Sequence, residues 1–325
     1  MITAYIHDGA HIDRLVDPDL SGLDRDRVVW IDLVAPPFDE IARVERYLGV
    51  DVPTRDQFDR VDIASRLVAT DAALMMGYST IADDGDRVAQ VPITCVLDDE
   101  QILTIRPAGC ASFDGLDPKA LVATGAIPNP RRVFFALLSA NIDHLADRLE
   151  QLRNEIDRIL IEVFGEQDAQ PRTGREVHAM IKALGFHGSQ LLKMEDSLIG
   201  LRRLVTFMKQ HSDRLAKDRH DIATLNAMIE DVRILNELAE ALDGKVDFLL
   251  DGMLGLIDLD QNQIMKIISI LAALFLPATL ISSIFGMNFT NMPELRWHDG
   301  FVFAVGLMVG SAVLMAIFFR WRRWM

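Results

Sequence analysis

At 325 residues the chain is long enough for two domains of ordinary size. Its formal charge of −15, from 48 acidic and 33 basic residues, argues against a nucleic-acid partner, which needs a basic surface, and favours a surface that attracts cations. Half of the residues are hydrophobic, but the surplus is concentrated at one end, since positions 264–319 carry only Lys266, Glu294, Arg296 and Asp299 as charged side chains.

The opening stretch MITAYIHDGAHIDRL has neither a basic n-region nor an apolar h-region, so it is not a signal peptide, and the large N-terminal part is expected in the cytosol. Residues 1–130 read as a mixed α/β domain. RVVWIDLVAP is a short apolar strand run, and PPFDEIARVERYLG is a helix started by proline and ended by Gly49. RLVATDAALMMGYSTI and RVAQVPITCVLDDEQILTIRP read as strands joined by turns. DDGD at 83–86 reads as a hairpin turn centred on Asp84-Gly85 and, more weakly, as an acidic metal site. Cys95 and Cys110 form no CxxC pair, so reduced thiols are expected over a disulfide.

Residues 131–263 read as a helical stalk. Leu138, Ile142, Leu145, Leu149, Leu152, Ile156 and Ile159 alternate steps of four and three, a heptad seam. A second helix is expected over about 174–210. From Asp213 no proline intervenes before Pro277, and Leu242, Val246, Leu249, Met253 and Leu256 keep the heptad spacing. This predicts one helix over 213–285, about 110 Å long, which needs packing partners to be stable.

Residues 264–285 would cover about 33 Å and residues 301–319 about 28 Å as helices, matching a hydrocarbon core of about 30 Å. Both are expected to cross a membrane, joined by a loop at 286–300. The tail at 320–325 carries Arg320, Arg322 and Arg323 between Trp321 and Trp324, which places it in the cytosol and the loop outside by the positive-inside rule. Gly306 and Gly310 form a GxxxG spacing that favours close helix packing.

On the other side of the long helix, Asp251, Leu254, Asp258, Asn262, Met265, Ile268, Ala272, Leu276, Thr279 and Ser283 step by three or four into one stripe. It is acidic or amide below, apolar in the middle and hydroxyl-bearing above. Such a stripe suits the lining of a pore in a symmetric oligomer. The plain alternative is that Thr279 and Ser283 bond to carbonyls of their own helix. DLDQNQ at 258–263 imitates a calcium loop but fails it, with Gln263 in place of glycine at position six and Ser269 in place of glutamate at position twelve. No HExxH, GxSxG or GxxxxGK[ST] occurs, and the histidines are scattered, with His178 and His187 expected as surface residues, so an enzyme is not indicated.

Gly286-Met287-Asn288 at the end of the first span, followed by MPEL at 292–295, a second span and a basic-aromatic tail, resembles the CorA family of magnesium channels. VVWIDLVAP, QNQIMKI and LPATLISSIFGMNFTNMPELRW resemble its bacterial members in the right order. The resemblance implies an α+β chain forming a funnel-shaped homopentamer. Each subunit would carry a cytosolic α/β domain, long stalk helices and two transmembrane helices, the first lining the pore. Gly286, Met287 and Asn288 would be the selectivity triplet, Asn288 giving a ring of amides, with Glu294 at the outer mouth. Asp251, Asn262, Met265, Ile268, Leu276 and Thr279 match the family's pore lining. Many relatives have Tyr before the triplet, where this chain has Phe285.

The family likeness also implies that magnesium is both cargo and regulator, with cobalt and nickel as further cargo and no other cofactor. Its partners would be copies of itself and membrane lipid. Candidates for a regulatory site are Asp83, Asp84, Asp86, Glu230, Asp231 and Glu237, each equally readable as a solvated carboxylate. Two other readings stand beside it. One is a zinc transporter of the ZntB type, whose members tend to depart from both GMN and MPEL. The other is a membrane-tethered coiled-coil scaffold that moves nothing.

Overall fold

The computed structural model describes residues 1–8, 12–49, 67–84, 87–115, 129–165, 174–216, 219–287 and 298–322. The chain divides into two compact units, Met1–Leu249 and Leu250–Met325.

The first unit is built on a seven-stranded sheet of β1 (Ile2–His7), β2 (Ile12–Val16), β3 (Val28–Val34), β4 (Leu67–Ala69), β5 (Leu74–Asp84), β6 (Arg87–Leu97) and β7 (Ile102–Arg106), in the order β2-β1-β3-β7-β6-β5-β4. Every pairing is antiparallel except β3 with β7, which run parallel with Trp30 opposite Ile102 and Val34 opposite Arg106. Six of the seven residues of β3 are buried, which is why its sequence is a nearly unbroken apolar run. Its one charged residue, Asp32, is held from below by β7. The Arg106 guanidinium donates to Asp32 Oδ2 at 2.8 Å and Thr104 donates to Asp32 Oδ1 at 2.6 Å.

The predicted helix after β3 is α1 (Phe38–Leu48). Gly49 ends it with φ 71°, the left-handed conformation that glycine adopts without cost, and its N–H caps the Glu45 carbonyl. Helix α1 lays Val44 and Leu48 into a cluster with Ile2, Leu20, Val28, Ile31, Leu33 and Leu103. The β5–β6 hairpin forms as expected, but its register pairs Asp84 with Arg87. Asp84 is therefore the last strand residue and not the turn centre, and Gly85 lies outside the described residues. Cys95 and Cys110 are free and buried.

After the short α2 (Ala111–Asp114), helix α3 (Pro130–Phe164) opens on a local signal. The Asn129 side chain accepts from the Arg131 N–H at 2.8 Å, and Pro130 takes the first turn, where no donor is missed. All seven residues of the expected heptad seam are buried. Helix α4 (Gly174–Gln210) matches the second expected stretch and packs on β5 and β6. There Lys193 Nζ donates to the Val88 carbonyl at 2.7 Å, while Gln90 donates back to the Lys193 carbonyl at 3.0 Å.

The next helix begins later than its lack of prolines predicts. Residues 213–215 belong to a separate turn, α5 (Ser212–Leu215), and the long helix is α6 (Arg219–Phe285). Arg214 explains the break, because it donates to the Thr70 carbonyl at 2.6 Å and to that of Asp71 at 3.3 Å, pinning α5 to the β4–β5 turn. Within the first unit α6 buries Leu225, Met228, Val232, Leu235, Ala239, Leu242, Val246 and Leu249. Leu256, expected to extend this seam, is 39% exposed.

The second unit holds the rest of α6 and helix α7 (Gly300–Trp321). Apart from their own stretch of helix, nothing among the described residues lies within 4 Å of where a Cβ at Gly306 or Gly310 would stand, so no other described part of the chain packs against the GxxxG spacing.

Candidate functional site

Helix α6 and helix α7 are both long and apolar enough to cross a membrane. Of their most apolar 18-residue windows, 0% and 6% are buried inside the chain. Burial within the chain is therefore not the reason for their composition, and both are candidate membrane spans.

From Ile270 to Phe285 exposure on α6 is sorted by face, whereas residues 258–269 are exposed all round. All ten positions of the stripe from Asp251 to Ser283 are exposed. The partly covered positions Ile270, Ala273, Leu274, Pro277, Ala278, Ile281 and Phe285 recur by three and four on the opposite side, roughly half a turn away at 100° per residue. Pro277 therefore interrupts the backbone ladder on the covered face and leaves the stripe undisturbed. Within the stripe the Thr279 hydroxyl donates to the Phe275 carbonyl at 2.9 Å, the own-helix bond weighed above. Ser269, beside the stripe, does the same to Met265 at 2.7 Å.

The helix ends at the expected triplet. The Gly286 N–H donates to the Ser282 carbonyl at 2.9 Å, and a Cβ at Gly286 would stand 3.1 Å from that same oxygen, so a side chain there would crowd the last turn. Met287 follows, 44% exposed. Asn288 and Glu294 lie outside the described residues.

The carboxylates named as regulatory candidates separate into distinct environments. Asp83 and Asp84 sit at the end of β5, and their side chains, with all of Asp86, lie outside the described residues. Glu230 and Glu237 are bridged by Arg233 between them on α6, at 2.6 Å to Glu230. That hydrogen bond lowers the Glu230 pKa. Asp231 instead faces α3, where burial, then Asp231, then Asp147 raise the pKa of Asp143.

A second acidic group had no signature in the linear order. Glu195 and Asp196 of α4 stand within electrostatic reach of Glu240 and Asp243 of α6. Burial first, then Asp243, Asp196 and Glu240, raise the Glu195 pKa. The signal would have been acidic residues recurring on the outer positions of two helices, which becomes legible only once the helices are known to pair. Among the described residues no three or more His, Cys, Asp or Glu gather closely enough to hold a metal ion. His178 is exposed as expected, but His187 is not a plain surface residue, because its side chain is 15% exposed and faces Glu155.

The profile of the CorA-like Mg2+ transporter protein family matches residues 25–323. The chain is 27% identical over 327 residues to the magnesium transport protein CorA of Sodalis glossinidius, covering 100% of both chains. Its fold is similar to that of the complete CorA magnesium transporter of Methanocaldococcus jannaschii, with a TM-score of 0.79 at 17% identity over 100% of this chain and 99% of that one. The ZntB cytoplasmic domain of Vibrio parahaemolyticus is similar at a TM-score of 0.57 and 13% identity, over 79% of this chain and 97% of that domain. The chain thus belongs to the CorA-like Mg2+ transporter family, and it is a membrane transporter and not an enzyme.

Proposed function

We propose that the chain forms a homopentameric channel for magnesium influx across the inner membrane, with α6 lining the pore and both termini in the cytosol. The observation that carries this reading is the stripe of exposed positions on α6 that runs up to Gly286, set over residues 270–285 against a partly covered opposite face. Five copies around an axis would turn that stripe onto an aqueous passage and place Asn288 in a ring at its outer end. Magnesium sheds water reluctantly and prefers octahedral oxygen ligands, so neutral amides would hydrogen-bond the hydrated ion without stripping it. A ring of carboxylates would hold a divalent ion too tightly for exit. Glu294 would raise the local cation concentration at the mouth. Cobalt and nickel would share the route.

The membrane potential supplies the drive. At about 2.3 kcal/mol per charge per 100 mV, a divalent ion gains about 4.6 kcal/mol, roughly three decades of accumulation. Ile268, Ala272 and Leu276 form an apolar belt that would close by dewetting. Cytosolic magnesium would hold the closed ring by bridging carboxylates of neighbouring subunits, and Asp231 is the candidate best placed for it, already set among Asp143 and Asp147. The zinc reading is supported only by a likeness of fold, and the GMN and MPEL residues oppose it.

Magnesium influx into liposomes containing the purified chain tests the proposal. Wild type is expected to conduct and Asn288→Ala to lose selectivity or flux. Unchanged flux in Asn288→Ala would reject the triplet assignment, and no wild-type flux would favour the scaffold.

A further inference from the structure

A cavity of about 350 Å³ opens between α3 and α4, lined by Arg148, Gln151, Glu155, Phe186, His187 and Gln190. Its lining residues belong to the first unit, and none of them is part of the stripe on α6. Within its lining His187 Nδ1 stands 3.1 Å from Glu155 Oε2. The two groups are close but not aligned for a hydrogen bond, and Nδ1 is buried with no hydrogen-bond partner. A buried imidazole nitrogen without an aligned partner is costly unless a further group engages it.

The spacing suits a metal ion. Bonds of about 2.1 Å from one ion to an imidazole nitrogen and a carboxylate oxygen set the two donors about 3.0 Å apart at an octahedral angle and about 3.4 Å apart at a tetrahedral one. The observed separation falls between these, so both donors could bind one ion with little movement. We propose that His187 and Glu155 form a binding site for a first-row transition-metal dication such as Zn2+, Ni2+ or Co2+, with water completing the sphere. Imidazole selects these ions over magnesium, which prefers oxygen donors throughout. Gln190, one turn beyond His187, lines the same cavity.

The other charged group in the cavity is Arg148. It lies two turns from Glu155 along α3, about 10 Å at the helical rise, and donates to Gln151 Oε1 at 2.8 Å. A bound ion would cross-link α3 to α4. The inference stands apart from the conduction reading, because it concerns binding to a different part of the chain.

Equilibrium dialysis of the full-length protein against Zn2+ or Ni2+, in the presence of millimolar magnesium, is the test. Wild type should retain one ion per chain more than His187→Gln, with affinity weakened about tenfold or more in both His187→Gln and Glu155→Gln. Zn2+ should raise the thermal midpoint of wild type and not that of the variants. Circular dichroism verifies that each variant is folded, and liposome magnesium flux should be unchanged in both. Equal stoichiometry and affinity across the three proteins would overturn the assignment, whatever the magnesium flux proves to be.

Discussion

The Thr279 hydroxyl donates its proton to the Phe275 carbonyl one turn back on α6, at 2.9 Å. A hydroxyl has one donor and two acceptor lone pairs, so a committed proton leaves only lone pairs to face outward. An oxygen fixed in this way offers a passing hydrated cation acceptors and no competing positive hydrogen. The own-helix bond and the pore role are thus compatible. Thr279→Ser, which keeps the hydroxyl, should conduct magnesium like wild type. Thr279→Val, nearly the same in shape, should conduct several-fold less in the liposome assay, and equal flux in the two variants would remove Thr279 from the conduction path.

Arg106 and Asp32 are both buried, at 3% and 2% exposure, and join β7 to β3 across the one parallel pairing of the sheet. Burial alone would lower the Arg106 pKa, but its hydrogen bonds to Asp32 and Asp114 outweigh that and raise it, so the guanidinium stays charged. Removing one partner strands the other charge in the interior at a cost of about 3–5 kcal/mol. Arg106→Met should therefore lower the thermal midpoint strongly. Arg106→Met combined with Asp32→Leu should recover part of the loss, since no lone buried charge remains and Asp114, which also pairs with Arg106, is half exposed. A double variant no better than the single one would show that the pair contributes through packing alone.

These residues also mark what could be read before the fold was known. The heptad seam from Leu138 to Ile159 and the limits of α4 are legible because helical periodicity is local, set by which side chains share a face a few residues apart. The same holds for α1, whose proline start and Gly49 stop are single-residue signals. The parallel partnership of β3 with β7 is not local, because it joins residues more than seventy positions apart. Asp32 is one acid inside an otherwise apolar strand, and nothing near it in the sequence names its partner. The start of α6 was misplaced for a related reason. Nothing in residues 211–218 breaks a helix by propensity, and the chain turns there because Arg214 is anchored on the distant β4–β5 turn. At the candidate site the stripe could be read from spacing, whereas the approach of Glu195 to Asp243 depends on two helices pairing.

Ala35 sits between β3 and Pro36 with φ 44°, a left-handed conformation that crowds a Cβ. Its N–H donates to the Arg106 carbonyl at 2.8 Å, which holds it there. Ala35→Gly should relieve the strain, offset in part by the greater freedom glycine gives the unfolded chain, for a net gain of about 0.5–1 kcal/mol. Gly49 is the converse. Its φ is 71° with open space where a Cβ would stand, so Gly49→Ala should cost about 1 kcal/mol through backbone conformation alone. Each change should move the thermal midpoint by about 2–4 °C, in opposite directions. A destabilised Ala35→Gly would contradict the strain.

Glu195 carries the clearest consequence for pH. Its pKa is raised by burial and then by Asp243, Asp196 and Glu240, so the folded chain binds this proton at a higher pH than the unfolded chain does. Between the unfolded and folded values the native state holds more protons, and stability there falls as pH rises. Above the folded value the penalty for ionising the group is fully present. Glu195→Gln should therefore be the more stable protein at pH 7, and the gap to wild type should close as pH drops toward about 4, near the unfolded carboxylate value. Millimolar magnesium should narrow the gap at neutral pH more than sodium at equal ionic strength, because a divalent ion neutralises a carboxylate cluster more effectively than screening does. Thermal midpoints of the two proteins across pH, with each salt, give the comparison. A gap independent of pH would mean that the four carboxylates do not repel one another in the folded chain, and would leave magnesium no electrostatic hold on α4 and α6 at this point.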